Sequence, residues 1–325
     1  MTAPLLEVRD LRKTFVRGHG SGRRVVTAVD GVSFEVADGE TLGVVGESGC
    51  GKSTTAGMVV RLIEPTSGEI RFAGTSLVGL RERRLRPLRR ELQMVFQDPQ
   101  SSLNPRQTVG TILSAPFQVQ GVQPSGGVLA EVRHLMERVG LNPEHYNRYP
   151  HQFSGGQRQR IGIARAIALR PRLVVCDEPV SALDVSVQAQ VLNLLAGLQD
   201  EFGMAYLFVA HDLAVVRHLS DQVVVMYLGR VVEQAAREEL YRNPAHPYTQ
   251  ALLSAVPVPK VPEARKRVLL TGDVVQDRPV GGCAFRSRCP RFAGELSAGD
   301  KTRCTEETPT LLPLSPGQSA ACHFV

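Results

Sequence analysis

The chain has 325 residues, of which 42% are hydrophobic and 22% charged, close to the average of soluble globular proteins. That excludes a wholly disordered chain. The 30 Gly and 21 Pro are scattered without a period, which excludes a collagen-like chain or a coiled coil. The net charge of +6 is mildly basic and alone admits nucleic acid, phosphate ligands or a membrane surface as partners. In chain order, β-branched runs predict strands at Leu5–Val8, Val25–Val36, Thr41–Val45, Glu69–Ala73, Leu92–Phe96, Leu173–Asp177, Ala205–Ala210 and Gln222–Leu228. Helices are expected at Thr54–Ile63, Val128–Val139, Gln157–Ala168 and Ser186–Glu201, with Gly18–Gly22 a loop insertion. Strands alternating with helices indicate an α/β domain with a largely parallel sheet. Beyond Val256 come Pro257, Pro259, Pro262, the basic run Arg265–Arg267 and a Pro- and Cys-rich tail, so a boundary is expected there.

No apolar run approaches the ~18 residues needed to cross a bilayer. Glu7, Asp10 and Arg12 interrupt the segment where a secretory signal would need apolar residues, so a cytosolic chain is expected. A reducing cytosol argues against reading Cys283, Cys289, Cys304 and Cys322 as disulfides. Arg81–Arg90 holds six arginines, with Pro87 expected to interrupt any helix. Without interleaved aromatic residues it reads as a solvated face rather than a nucleic-acid patch, and no nucleic acid is expected as a partner.

Two motifs carry chemistry. Gly46-Glu47-Ser48-Gly49-Cys50-Gly51-Lys52-Ser53 fits G-x-x-x-x-G-K-[ST], between a predicted strand and a predicted helix opening at Thr54. Glycines let backbone N–H groups turn toward phosphate oxygens, and the helix N-terminus adds its positive dipole end. Lys52 supplies a charge to the β- and γ-phosphates, and the Ser53 hydroxyl suits Mg²⁺. The apolar run Leu173–Cys176 delivers Asp177 and Glu178 to a strand's carboxyl end, where ligands collect in open α/β sheets. Asp177 would serve Mg²⁺, and Glu178 would accept a proton from the water that attacks the γ-phosphate.

Phe153-Ser154-Gly155-Gly156-Gln157, a helix and then the acidic strand follow in an order that resembles the ATP-binding subunits of ABC transporters, over about residues 5–255. Ser154–Gln157 resembles the family's signature loop, with Phe153 where Leu is commonest. Gln97 resembles the Q-loop glutamine, Ser181–Asp184 the D-loop, His211 the switch histidine, and Phe15 the aromatic that stacks on adenine. The resemblance implies an α/β P-loop ATPase fold with a mixed sheet core and a helical subdomain at about 98–170, ending near 256. Residues 257–325 would then be a small Cys-containing extension. It also implies ATP and Mg²⁺ as cofactors, with Gln97 touching the metal's water and Ser154–Gln157 closing over nucleotide held by an opposite subunit.

Within that family, Gln97–Pro105, Cys176–Gln190 and Asn243–Leu252 resemble importers of dipeptides and oligopeptides, which have nickel and sugar relatives. The wording around Cys176–Gln190 is most similar to their second, F-type ATPase. The resemblance implies a second ATPase subunit, two membrane permeases, an external binding protein, and a place on the cytoplasmic face of the membrane. Gly282–Pro290 and Cys322-His323 resemble the ends of a Cys motif that binds a [4Fe–4S] cluster in some of these ATPases, although the middle spacing to Cys304 is longer. A cluster, a zinc site and four free thiols remain open. A soluble ABC ATPase working on nucleic acid or ribosomes is the alternative class. Only one phosphate loop is present, which disfavours it.

Overall fold

The structure, a computed structural model, describes residues 3–17, 24–255 and 281–325. The Gly18–Gly22 loop and the boundary at Val256 with its prolines lie outside the described residues.

Strands β1 (Leu6–Arg17) and β2 (Arg24–Val36) pair antiparallel, and β4 (Ser67–Phe72) and β5 (Thr75–Ser76) extend them into a four-stranded sheet ordered β2-β1-β4-β5. β3 (Thr41–Val45) belongs to a second, eight-stranded sheet. There β6 (Leu92–Val95), β7 (Leu173–Asp177), β8 (Ala205–Ala210), β3 and β9 (Gln222–Tyr227) run parallel. β10 (Arg230–Ala236), β12 (Gln318–Ala320) and β11 (Leu312–Ser315) add antiparallel strands at one edge. The sheet is mixed, as the family resemblance implies, with its parallel strands at the centre and one edge and its antiparallel strands at the other.

Every residue of β3, β7 and β8 is buried, as strands covered on both faces require. Alternation sends Val174 and Cys176 into one hydrophobic cluster and Leu173 and Val175 into the other, so the sheet divides the core in two.

Helix α1 (Lys52–Val59) follows β3 and stops short of the predicted Ile63. Arg61 is left-handed at φ 56°, and the Gly57 carbonyl takes the N–H groups of Leu62 and Ile63, closing the helix. Helix α2 (Glu82–Leu88) forms despite Pro87, which corrects the sequence expectation. The proline sits in the last turn, where its missing N–H leaves most of the helix's bonds intact.

Between β6 and β7 the described chain is helical: α3 (Pro99–Ser102), α4 (Val109–Gln120), α5 (Val128–Arg138) and α6 (Gly155–Ile167), with short 3₁₀ turns. α5 buries Val132, Leu135 and Met136, one face at helical spacing. Helices α7 (Val185–Phe202), α8 (Leu213–Leu219), α9 (Arg237–Arg242), α10 (Pro247–Ala255) and α11 (Ala298–Glu306) complete the chain.

The Cys-containing tail does not stand apart. β12 pairs with β10, and Gln318 Nε2 donates to Glu233 Oε1 at 3.0 Å. Glu233 is fully buried and also accepts from the backbone N–H groups of Ala245 and His246. Phe285 is 1% exposed, packed against the rings of Tyr227, His246 and Tyr248.

Candidate active site

The phosphate loop leaves β3 at Val45 and enters α1 at Lys52. Two of its glycines are required by geometry. Gly46 has φ 155° and a Cβ there would lie 2.2 Å from the Met226 carbonyl oxygen. Gly51 has φ 103° and a Cβ would lie 2.3 Å from that of Ala28. Both contacts are with backbone, which cannot step aside.

Lys52 is 3% exposed, and its ammonium donates to the carbonyls of Gly46 (2.7 Å) and Glu47 (3.0 Å), folding back over the loop. The Ser53 hydroxyl donates to Asp177 Oδ1 at 2.8 Å, tying the start of α1 to the end of β7. Burial raises the Asp177 pKa, opposed by that hydrogen bond.

Glu178 has a left-handed backbone, φ 43°, unusual for a side-chain-bearing residue and a mark of local strain. Its carboxylate is surrounded by groups from three elements. Gln97 Nε2 donates to Oε2 at 2.9 Å, His211 Nδ1 stands 3.5 Å from Oε2, and Lys52 Nζ stands 3.8 Å from Oε1. Gln97 follows β6, Glu178 follows β7 and His211 follows β8, so the parallel strands deliver all three side chains to one end of the sheet.

An open cavity of about 420 Å³ lies over the loop, lined by Ser48, Gly49, Gly51, Lys52, Ser53, Thr54, Gln97 and Glu178. Phe15, Val26, Thr27, Ala28 and Leu228 line it as well. Phe15 is 38% exposed, with the Lys13 ammonium 5.1 Å from its ring centre. Sequence reasoning missed the contributions of β2 and Leu228, which are apolar or backbone surface and leave no motif. Glu47 and Cys50 do not line the cavity: the Glu47 carboxylate is held by Arg288, and Cys50 is buried, which raises its pKa.

None of Ser154, Gly155, Gly156 or Gln157 lines that cavity. Ser154 caps α6, accepting from the Gln157 N–H, while the Gln157 side chain accepts from the Ser154 N–H. A Cβ at Gly156 would lie 2.5 Å from Val187. Asp184 likewise caps α7 by accepting from the Val187 N–H, which lowers its pKa.

Cys283, Cys289, Cys304 and Cys322 line one small cavity, together with Arg286, Arg291 and His246. Burial raises the thiols of Cys304 and Cys322 and pushes that of Cys283 up to about 11. Among the described residues, no group of three or more His, Cys, Asp or Glu is disposed to hold a metal ion, so the metal ligation expected from sequence has no preformed single-ion site. Nor is any described helix long and apolar enough to cross a membrane.

Two family models match the chain: ABC transporter over residues 29–181, and Oligopeptide/dipeptide transporter, C-terminal region, over residues 232–295. Oligopeptide transport ATP-binding protein AppF of Bacillus subtilis is 50% identical, covering 98% of this chain and 97% of that protein. Di/tripeptide transport ATP-binding protein DppF of Pseudomonas aeruginosa is 49% identical, with the same shares covered. Among solved structures, a dimeric post-hydrolysis state of the ATP-binding cassette MJ0796 bound to ADP and Pi matches with a TM-score of 0.64 at 27% identity. That match covers 71% of this chain and 98% of that one. Phosphate loop, acidic strand end and full-length likeness agree, and the chain belongs to the ABC transporter ATPases, in the branch of oligopeptide and dipeptide transport ATP-binding proteins.

Proposed function

We propose that this ATPase energises uptake of dipeptides and oligopeptides, working at the cytoplasmic face of a membrane with two permease subunits, a second ATPase subunit and an external binding protein. Support for peptides comes from the match to the C-terminal region of oligopeptide and dipeptide transporters and from the relatives' names. Residues 1–256 form the cassette, with a helical subdomain at about 98–170, and 257–325 the extension. The helical run between β6 and β7 supports the subdomain, while the pairing of β12 with β10 ties the extension to the cassette's sheet. Nickel or sugar import is the second reading, favoured only by relatedness.

The observation that carries the ATPase mechanism is the Glu178 carboxylate held among Lys52, Gln97 and His211 at the mouth of the phosphate loop. The residues fit Mg²⁺–ATP: Gly46 and Gly51 leave room only for backbone, and Ser53 and Asp177 place two oxygen ligands side by side. When bound, Mg²⁺ neutralises phosphate charge, and Ser53, Asp177 and Gln97 are the groups that would hold it or its waters. Lys52 turns from the Gly46 and Glu47 carbonyls to the β- and γ-phosphates. Glu178 takes the proton of the attacking water, while His211 and Gln97 orient that carboxylate. Phe15 stacks on the adenine, aided by its place on the cavity wall. Because Ser154–Gln157 does not line this cavity, those residues and Asp184 serve the nucleotide of the opposite subunit in a closed dimer.

The four tail cysteines hold a [4Fe–4S] cluster with a structural or regulatory role. Their shared cavity supports this, as do Arg286 and Arg291, which offset the negative charge of four thiolates. In a cube each thiolate binds a different iron, so the sulfurs need not converge on one point as a single ion requires.

The test is uptake of a radiolabelled dipeptide by cells carrying the intact transporter. Lys52→Ala should abolish uptake while leaving the chain bound to its permeases. Undiminished dipeptide uptake, with loss of nickel or sugar uptake instead, would refute the peptide reading.

A further inference from the structure

The Glu47 carboxylate sits in the phosphate loop yet is gripped from the far end of the chain. Arg288 Nη1 donates to its Oε2 at 2.6 Å and Nη2 to its Oε1 at 2.9 Å, a bidentate pair. Arg288 is nearly buried, its side chain 7% exposed, and its guanidinium lies 6.0 Å from the Tyr227 ring. Three residues earlier, Phe285 fills the space between Tyr227, His246 and Tyr248, so the arginine is carried on an anchored segment. The Tyr248 hydroxyl accepts the Glu47 N–H at 2.9 Å, and the Glu47 carbonyl accepts from Lys52. The residue Arg288 holds is therefore in direct contact with the lysine that meets phosphate.

A carboxylate in such a loop repels a triphosphate, and the Glu47 carboxylate, 26% exposed, is only partly screened by water. Pairing with a buried guanidinium cancels that charge. We propose that Arg288 is a positioning residue for nucleotide binding, pairing with Glu47 so that the loop's affinity for ATP depends on the docked C-terminal segment. This rests on the nucleotide reading of the loop.

The experiment titrates the full-length chain with a fluorescent ribose-labelled ATP in the presence of Mg²⁺. Arg288→Met, which leaves Glu47 uncompensated, should weaken binding by roughly tenfold, and the loss should shrink as salt is raised. Adding Glu47→Gln to Arg288→Met should restore affinity to within about threefold of wild type, because no charge is left to cancel. Arg288→Lys should retain most of the affinity, and in the assembled transporter Arg288→Met should raise KM for ATP with kcat kept. Wild-type binding by Arg288→Met, or a double variant as weak as the single one, would overturn the proposal. If Arg288→Met does not fold, Glu47→Gln alone decides: it should bind at least as tightly as wild type, and weaker binding would overturn the idea. A wild-type chain unable to bind the nucleotide would overturn the nucleotide reading itself and this inference with it.

Discussion

Glu178 concentrates the chemistry at the residue scale. Its left-handed backbone and its contacts with Lys52, Gln97 and His211 fix one carboxylate at the mouth of the phosphate loop, where the proposed mechanism needs a base. Glu178→Gln keeps the shape and the Gln97 contact but removes the base. Phosphate release by the assembled transporter should fall by about 10²–10⁴-fold while ATP binding persists. Hydrolysis at the wild-type rate would assign the base elsewhere. These side chains were legible in the sequence because each lies in a short motif that resembles one of the family's, and the motifs follow one another in the family's order. Glu47 was read there as a nucleotide contact, and its pairing was invisible, since Arg288 stands 241 residues away with no local pattern to mark it.

At the scale of elements, strands that alternate burial or are wholly apolar announced themselves, and β3, β7 and β8 carry the bounds that their β-branched runs predict. α4 was foreseen only as part of the helical subdomain at about 98–170, not as an element with bounds: Pro116 lies within it, and its fold depends on packing Ile112, Leu113 and Phe117 into the core. β10 and β12 were missed for another reason. Their pairing joins segments separated by some 85 residues, and the Gln318–Glu233 bond that fixes it has no periodicity. The Cys segments gather round one cavity although no spacing rule foretold it. If they hold the cluster, protein purified without oxygen should be brown and contain acid-labile sulfide. Cys283→Ser should lose both. Colourless anaerobic protein with stoichiometric zinc would refute the cluster.

The whole molecule is knitted from its ends. Ending the chain at Ala255 would strip β12 from β10, remove the Gln318 bond to buried Glu233, and leave Glu47 without Arg288. Such a chain should melt lower by roughly 5 °C or more, and light scattering should reveal association through the bared β10 edge. An unchanged melting temperature with no added scattering would show the tail to be dispensable. The same long-range stitching has a consequence in time. A polypeptide is made from its N-terminus, so the loop bearing Glu47 leaves the ribosome long before Arg288 has been polymerised. Throughout that interval the nascent cassette carries an unmatched carboxylate beside its phosphate site and an open strand edge. On the proposal that Arg288 tunes the loop, maturation of the ATP site awaits translation of the segment that bears Arg288 and β12, and a chain interrupted before it would keep both the unmatched carboxylate and the open β10 edge.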